Sequence, residues 1–218
     1  MNTLAAAPLA GLLDSLFAEA EAAETAADSF FPDAEPGRLE RGKTGYLDYY
    51  RRLRDLPLAV SRETGRLLYL LARSRGARAM VEFGTSFGIS ALHLAAALRD
   101  NGGGVLVTSE FEPSKAARAG KNLAAGGLID LVDIREGDAL RTLRTDLPEK
   151  VDLLFLDGAK DLYTEILDLV EGRLGPGALV IADDAGGSPD YLVRVRSPIG
   201  GYLSIPFGGD VELSLRLG

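Results

Sequence analysis

The chain has 218 residues, 46% of them hydrophobic, and a formal net charge of −8. This length fits one domain of ordinary size with an N-terminal extension, and the apolar share is ample for a buried core. The negative charge argues against binding the phosphate backbone of a nucleic acid, so the expected partner is a small molecule.

Missing residue types exclude several kinds of chemistry. There is no cysteine, which excludes disulfides, thiolate catalysis and zinc–thiolate sites and fits a cytoplasmic protein. The single histidine, His93, lies in a helical apolar pattern and is interpreted as a packing or surface residue, so no histidine-based triad is expected. No apolar run has the length of a membrane span, and the N-terminus is interpreted as an amphipathic helix rather than a signal peptide.

The first third of the chain is predicted to be helical with one loop. Helices are predicted over 3–28, 46–56 and 61–74, the last with an N-cap near Ser61. Residues 30–45 are rich in proline and glycine and predict a mobile loop. We therefore expect N-terminal helices and a lid loop over 1–57, followed by the main domain over 58–218, within one compact domain overall.

Aromatic side chains in this region have two interpretations. They either cover a substrate site or, as is more usual at such spacing, form core or dimer contacts. The residues concerned are Phe30, Phe31, Tyr46, Tyr49 and Tyr50.

From Ala79 the pattern alternates between strands and helices. Such alternation predicts an α/β fold with a parallel, doubly wound sheet, and the tail predicts an antiparallel hairpin of two further strands over 202–206 and 211–217. The other predicted strands are 79–83, 105–109, 131–134, 152–156 and 178–182. The predicted helices between them are 88–100, 113–125, 139–145 and 160–172.

The loop after the first of these strands carries two glycines, Gly84 and Gly88. Glycine allows close approach to a ligand and positive φ, and the helix that follows favours a negative group at its N-terminus. The spacing differs from the dinucleotide fingerprint, which disfavours a pyrophosphate site. By itself the loop is equally consistent with a tight packing turn.

Acidic residues follow the next two strands. Glu110 ends the second strand, where it is placed to accept hydrogen bonds from a ribose diol, although a solvated charge is the alternative. Asp138 follows the third strand and either bonds an adenine edge or caps the next helix, and both roles are compatible.

Carboxylates also end the last two buried strands. Asp157 follows one strand, with Lys160 three positions later, and Asp183 and Asp184 follow the other. Because ligands bind beyond the carboxyl ends of parallel strands, these groups should meet at one edge of the sheet. Oxygen ligands in that number suit a hard divalent cation such as Mg²⁺.

These segments together resemble the class I S-adenosylmethionine-dependent O-methyltransferases of the catechol and caffeoyl-CoA type. Each segment is weak alone, but all occur in the family's order, which makes the combination specific. The matching segments are VEFGTSFGISAL (81–92), TSEFEP (108–113), REGDAL (135–140), LLFLDGAKDLY (153–163) and LVIADD (179–184). The resemblance implies a Rossmann-like methyltransferase fold, and family members commonly pair as dimers, here through the N-terminal helix.

The resemblance also implies a role for each site residue. The cofactor S-adenosylmethionine would lie with its methionine part against Val60, Glu82, Gly84, Ser86 and Ser90. Glu110 and Phe111 would border the ribose, and Asp138 and Ala139 the adenine. Asp157 would border the cofactor and, with Asp183 and Asp184, hold a divalent cation. Lys160 would be the catalytic base for a phenolic acceptor with adjacent hydroxyls, unless it only forms an ion pair with Asp157 or Asp161.

Two departures from the family pattern matter. Asp184 stands where the family usually has asparagine, which leaves open that no metal is bound and that the transfer is metal-independent. The segment after Asp184 is short, and the acidic residue that faces the substrate in the catechol enzyme has no evident match.

Overall fold

A computed structural model describes residues 2–30 and 50–218, and side chains over 2–23 and 50–218. Residues 31–45 of the predicted loop and 46–49 of the predicted helix over 46–56 lie outside this part, as do Phe31, Tyr46, Tyr49 and the side chain of Phe30. Residue 30 is helical rather than part of a loop. Of the remaining predicted helix, residues 50–52 are helical, whereas 53–56 form turns and a bend. No helix of the described part is long and apolar enough to cross a membrane.

One seven-stranded sheet with the order β3-β2-β1-β4-β5-β7-β6 organises the molecule. All neighbouring strands from β3 to β5 pair in parallel, and β7 is antiparallel to both β5 and β6. The predicted mostly parallel sheet with a C-terminal hairpin is therefore confirmed. The strands are β1 (Ala79–Phe83), β2 (Val105–Glu110), β3 (Val132–Glu136), β4 (Val151–Leu156), β5 (Leu174–Ala182), β6 (Tyr202–Phe207) and β7 (Val211–Arg216).

Helices cover both faces of this sheet. Side chains of α1 to α4 contribute to the apolar cluster on one face, and side chains of α5 to α7 contribute to the cluster on the other. The helices are α1 (Leu9–Phe30), α2 (Arg62–Arg75), α3 (Ile89–Asp100), α4 (Pro113–Ala125), α5 (Ala139–Thr142), α6 (Tyr163–Glu171) and α7 (Pro189–Arg196). Leu9 and Leu13 of α1 are buried in the first cluster, so the N-terminal helix shares the main core.

Local signals explain several boundaries. The Ser61 hydroxyl accepts a hydrogen bond from the Thr64 backbone N–H at 2.9 Å, which confirms the predicted N-cap of α2. Gly76 ends that helix with a φ of 65°, a left-handed conformation that glycine adopts without strain. His93 is buried in α3, with its Nδ1 2.8 Å from the Ile89 carbonyl oxygen, as expected of a packing residue.

The sequence missed α7 and the first half of β5. No helix was predicted between Asp184 and the hairpin. Pro189 occupies the first turn of α7, where its missing N–H is not needed, and Tyr191 and Val195 are buried one turn apart. Residues around Pro176 disfavour a strand, yet Leu174 pairs with Val151 and starts β5 there. Tertiary pairing and burial override local propensity at both places.

Candidate active site

Two adjoining hollows open at the carboxyl ends of the parallel strands. The larger is a cleft of about 680 Å³ that includes Glu110, Phe111, Lys115, Asp138 and Ala139 in its lining. The smaller, of about 240 Å³, includes Val60 and Ser90. Both are also lined by Leu58, Gly84, Ser86 and Asp157.

The glycine loop after β1 forms the wall between the two hollows. Gly84 has a φ of 101°, and a Cβ atom there would lie 2.4 Å from the Asp157 carbonyl oxygen, so only glycine fits. Ser86 has a φ of 48°, which is uncommon for a residue with a side chain. Its backbone N–H donates to a Glu110 carboxylate oxygen at 2.7 Å, while its buried hydroxyl has no hydrogen-bond partner within the described part of the chain.

Glu82 is fully buried and lines neither hollow. Its Oε2 accepts a hydrogen bond from the Thr108 hydroxyl at 2.5 Å, and its Oε1 has no hydrogen-bond partner among the described residues. Burial raises the pKa of Glu82 to about 7, although the polar groups of Ser90 and Thr108 oppose the shift. A positively charged hydrogen-bond donor would stabilise the ionised form of this carboxyl group.

Glu110 lies at the end of β2 and is almost fully buried. Its two oxygens accept hydrogen bonds from the backbone N–H groups of Ser86 and Glu112, at 2.7 and 2.8 Å. Burial raises its pKa, and these two hydrogen bonds oppose that shift. The alternative of a solvated surface charge is therefore wrong, and each oxygen keeps a lone pair for a further donor.

Asp138 caps α5, because its Oδ1 accepts a hydrogen bond from the Leu140 backbone N–H at 3.0 Å. Asp138 and Ala139 also line the larger cleft, so Asp138 can contact a ligand there while it caps the helix. Across the cleft, the Arg51 guanidinium lies 5.3 Å from the centre of the Phe111 ring.

Beside the hollows, Lys160 joins two strand ends. Its ammonium lies 3.1 Å from an Asp157 oxygen and 3.4 Å from an Asp184 oxygen. Burial alone would lower the pKa of Lys160, but the nearby negative charges, Asp157 foremost, raise it well above its ordinary value. The ion pair with Asp157 that the sequence left open is thus present, and the second partner is Asp184 rather than Asp161.

Asp183 completes the acidic cluster. Burial, and then repulsion from Asp157, raise the pKa of Asp183 to about 7, with smaller contributions from Asp184 and Asp210. The Tyr163 hydroxyl donates to the Asp183 backbone carbonyl at 2.8 Å, so this buried tyrosine has a structural role in holding the end of β5. The Asp210 carbonyl accepts from the Ala185 N–H at 3.0 Å, so the β6–β7 turn reaches this edge as well.

The donor set suits a hard cation in kind, since all the side-chain groups are carboxylates. In the described part of the chain, however, no three histidine, aspartate or glutamate side chains converge with the spacing of a metal site. The Lys160 ammonium lies between Asp157 and Asp184 instead. A cation held by these residues therefore requires the ammonium to move.

Sequence analysis missed three features of this region. Leu58 lines both hollows, Lys115 lines the larger cleft, and Asp210 approaches Asp183 through a turn remote in sequence. The only available signal was that Lys115 lies in the first turn of the helix that follows Glu110. Of the predicted aromatic cover, Tyr50 is the residue whose side chain is described, and it lines the larger cleft with its hydroxyl 3.4 Å from the Gly158 carbonyl.

Comparison with known sequences places this arrangement among methyltransferases. The family described as "Methyltransferase domain" matches residues 81–185. A catechol O-methyltransferase of Niastella koreensis is 37% identical over 130 residues, which are 58% of each chain. Catechol O-methyltransferase B of Danio rerio is 33% identical over 159 residues, 69% of this chain and 60% of that protein. The chain thus spans less than two thirds of these relatives' length.

Solved structures cover more of the chain. The O-methyltransferase TomG of Streptomyces achromogenes, which is involved in tomaymycin synthesis and was crystallised with SAM, is 30% identical. The match has a TM-score of 0.65 and covers 88% of this chain and 96% of that one. An O-methyltransferase of Bacillus cereus in complex with SAH, 24% identical with a TM-score of 0.66, shares the fold.

Proposed function

This chain belongs to the class I S-adenosylmethionine-dependent O-methyltransferases of the catechol and caffeoyl-CoA type, and we propose that it transfers a methyl group from S-adenosylmethionine to a hydroxyl of a small phenolic acceptor. One observation carries the proposal. Gly84, Ser86 and Asp157 line both hollows, and Asp157 also contacts Lys160. A cofactor in the hollows and an acceptor beside Lys160 would meet at Asp157.

The smaller hollow is proposed to take the methionine part of the cofactor. Glu82 and Ser86 support this assignment, because each has a buried polar oxygen without a partner. A buried acceptor without a donor is unfavourable, and a cofactor ammonium would supply the donor. Val60, Gly84 and Ser90 would border the same part.

The larger cleft is proposed to take the adenosine part. Glu110 keeps acceptor capacity for two ribose hydroxyls, which supports its predicted role. Phe111 offers an aromatic face, and Asp138 and Ala139 lie farther along the same lining.

On the acceptor side, the chemistry requires an oxygen nucleophile in line with the methyl–sulfur bond. A phenol has a pKa of about 10, so it is largely protonated at neutral pH and needs a group to take its proton. Lys160 is the proposed base. The carboxylates that now hold its ammonium favour the charged form, so proton transfer requires Asp157 and Asp184 to be engaged elsewhere.

Asp157, Asp183 and Asp184 are the residues that would hold a divalent cation, Mg²⁺ being the best fit to carboxylate oxygens. Such a cation would lower the pKa of a coordinated hydroxyl and would fix the orientation of a vicinal diol. The proposal is supported by the cluster of carboxylates around Asp183. Among the described residues whose charges act most strongly on Asp183, Lys160 is the positive one.

A second candidate is metal-independent methyl transfer to a hydroxyl or amine. The contact of Lys160 with both Asp157 and Asp184 favours it, because the ammonium already balances charge where a cation would lie. A third possibility, cofactor binding without transfer, predicts the same hollows but no turnover.

The test is a methyl-transfer screen over catechols, other phenols and amines, with and without Mg²⁺, paired with calorimetry. We expect S-adenosylhomocysteine to bind and a catechol to be methylated when Mg²⁺ is present. Absence of binding heat with both S-adenosylmethionine and S-adenosylhomocysteine would overturn the proposed function, and binding without any turnover would leave the third possibility.

We also propose that two copies of the chain form a homodimer through the N-terminal helix α1. Leu9, Leu13, Leu16 and Phe17 are buried in the chain's own core, so the interface would use another face of that helix. Light scattering on the purified protein measures the mass, and a monomer at micromolar concentration would contradict this proposal.

A further inference from the structure

Lys115 is a buried lysine at the cofactor cleft that none of the assigned roles uses. It lies in the first turn of α4 and its residue exposure is 4%, yet it lines the larger cleft together with Glu110 and Glu112. Lysine is almost never fully buried unless its ammonium is paired. Its position therefore needs a reason beyond packing.

The Lys115 ammonium has no hydrogen bond or ion pair within the part of the chain that the structure describes. Burial lowers the pKa of Lys115, and the charges of Glu110, Glu112 and Asp55 oppose this shift through space only. The nearest aromatic contact is the Phe87 ring, 6.0 Å from the ammonium. A largely buried lysine without a protein acceptor is stabilised when an oxygen acceptor reaches its ammonium.

The neighbouring carboxylates are held in place by other donors. Glu110 accepts backbone hydrogen bonds from Ser86 and Glu112, and Glu112 accepts from the backbone and hydroxyl of Ser114 at the start of α4. Neither carboxylate forms an ion pair with the Lys115 ammonium among the described residues. Lys115 lines the cleft, so a bound ligand can offer it an acceptor there.

A ribose diol provides the matching acceptor. Each ribose hydroxyl that donates its hydrogen to Glu110 still has oxygen lone pairs to accept a hydrogen bond. Hydrogen bonds that involve a charged group are about twice as strong as neutral ones, so an ammonium is an effective partner for such an oxygen.

We propose that Lys115 is a cofactor-binding residue that donates a hydrogen bond to a ribose hydroxyl oxygen of S-adenosylmethionine and completes the ribose site with Glu110. The inference rests on the proposed function, because it assumes that the cleft holds the adenosine part. It adds to the site a residue that neither the sequence motifs nor the family resemblance identified.

Calorimetry with two ligands tests the contact. We expect Lys115→Met to weaken binding of S-adenosylhomocysteine about tenfold, as the loss of one charge-assisted hydrogen bond should. Binding of the 2′,3′-dideoxyribose analogue should change less than about twofold, because the acceptor oxygens are absent. Lys121→Met, an exposed position of the same helix, is the matched control and should leave both affinities unchanged.

A double-mutant comparison separates direct contact from an effect through Glu110. If Lys115 touches the ribose, Lys115→Met still weakens S-adenosylhomocysteine binding in a Glu110→Gln background. Loss of the effect in that background, or equal weakening for both ligands, overturns the proposal. Should Lys115→Met fail to fold, Lys115→Gln keeps a neutral donor and undergoes the same comparison. Wild-type protein that binds no S-adenosylhomocysteine would instead overturn the proposed function.

Discussion

Individual residues at the site are held in unfavourable states that a ligand would relieve. Ser86 and Asp184 each have a φ of 48°, and among the described non-glycine residues the only other with positive φ is Asp146. Glu82 and Ser86 each keep a buried polar atom without a partner. Such strain and unpaired polarity cluster where a protein binds or reacts, which supports the assignment of the hollows to a cofactor.

Glu82 predicts a pH dependence of cofactor binding. Its pKa is about 7 because of burial, opposed by Ser90 and Thr108 and assisted by the charges of Asp157 and Glu110. A cofactor ammonium favours the ionised carboxylate, so S-adenosylhomocysteine affinity should fall as pH decreases from 8 to 6, by up to about tenfold per unit below the pKa. Calorimetry across this range measures the slope.

Glu82→Gln should remove this pH dependence, whereas Glu63→Gln at an exposed position should preserve it. The same raised pKa means that Glu82 contributes stability at low pH that the ligand-free protein loses as pH rises from 4.5 to about 7. A wild-type affinity that is flat between pH 6 and 8 would contradict the role of Glu82.

The proposed role of Lys160 as the base predicts that its replacement lowers turnover but leaves cofactor binding almost unchanged. Lys160→Met should lower kcat with a catechol at least about 100-fold, since a positioned base contributes about 10²–10⁴-fold. S-adenosylhomocysteine affinity should change less than about twofold, because Lys160 lines neither hollow. Steady-state kinetics and calorimetry on the variant, with exposed Lys150→Met as control, provide the two readouts. Turnover above half the wild-type value would remove Lys160 from the mechanism.

At the scale of elements, the loops after β1 and β4 fit each other closely. A Cβ atom at Gly84 would lie 2.4 Å from the Asp157 carbonyl, and one at Gly158 would lie 2.5 Å from the Phe83 ring. The Asp157 N–H also donates to the Phe83 carbonyl at 2.9 Å. The close approach of these two loops fixes Asp157 relative to the glycine loop.

Gly84→Ala should therefore destabilise the fold by about 2 kcal/mol or more, since it combines positive φ with a backbone clash. It should also abolish S-adenosylhomocysteine binding, because Asp157 and Ser86 would shift. Gly172→Ala is the control, with a φ of −62° and no atom within 4 Å of the added carbon. Thermal unfolding compares the two, and equal melting temperatures would show that the loops tolerate the methyl group.

The whole molecule concentrates negative charge at one edge of its sheet. Asp157 follows β4, Asp183 and Asp184 follow β5, and Asp210 precedes β7, so three strands contribute carboxylates. Among the described residues whose charges act most strongly on Asp183, three are carboxylates and one, Lys160, is positive. This imbalance is the physical basis for expecting a divalent cation.

The corresponding prediction is that a chelator lowers the activity. EDTA should lower catechol methylation at least about 100-fold and added Mg²⁺ should restore it, because the cation would activate and orient the diol. Asp184→Asn should retain most activity, since asparagine is an oxygen donor and also tolerates the left-handed backbone at this position. Asp183→Asn, which removes a buried charge, should require more Mg²⁺. Full activity in EDTA would instead favour metal-independent transfer.

The sequence by itself determined the parallel pairing of the main strands, the C-terminal hairpin, the helices between the strands and the Ser61 cap, and several of its predicted site residues line the two hollows. It did so because apolar runs, glycine turns and strand-end carboxylates are local patterns with one stable arrangement. The division at residue 57 and the cytoplasmic location stay predictions. The first half of β5 and α7 were decided by pairing and burial that local propensity does not report.

Only the tertiary structure decided how the charged groups associate. It paired Lys160 with Asp184 as well as Asp157, buried Glu82 outside the lining of both hollows, and placed Lys115 in the lining of the cleft. The energy of a charge depends on its burial and on neighbours far away in sequence, so these states follow from the assembled sheet edge rather than from any motif.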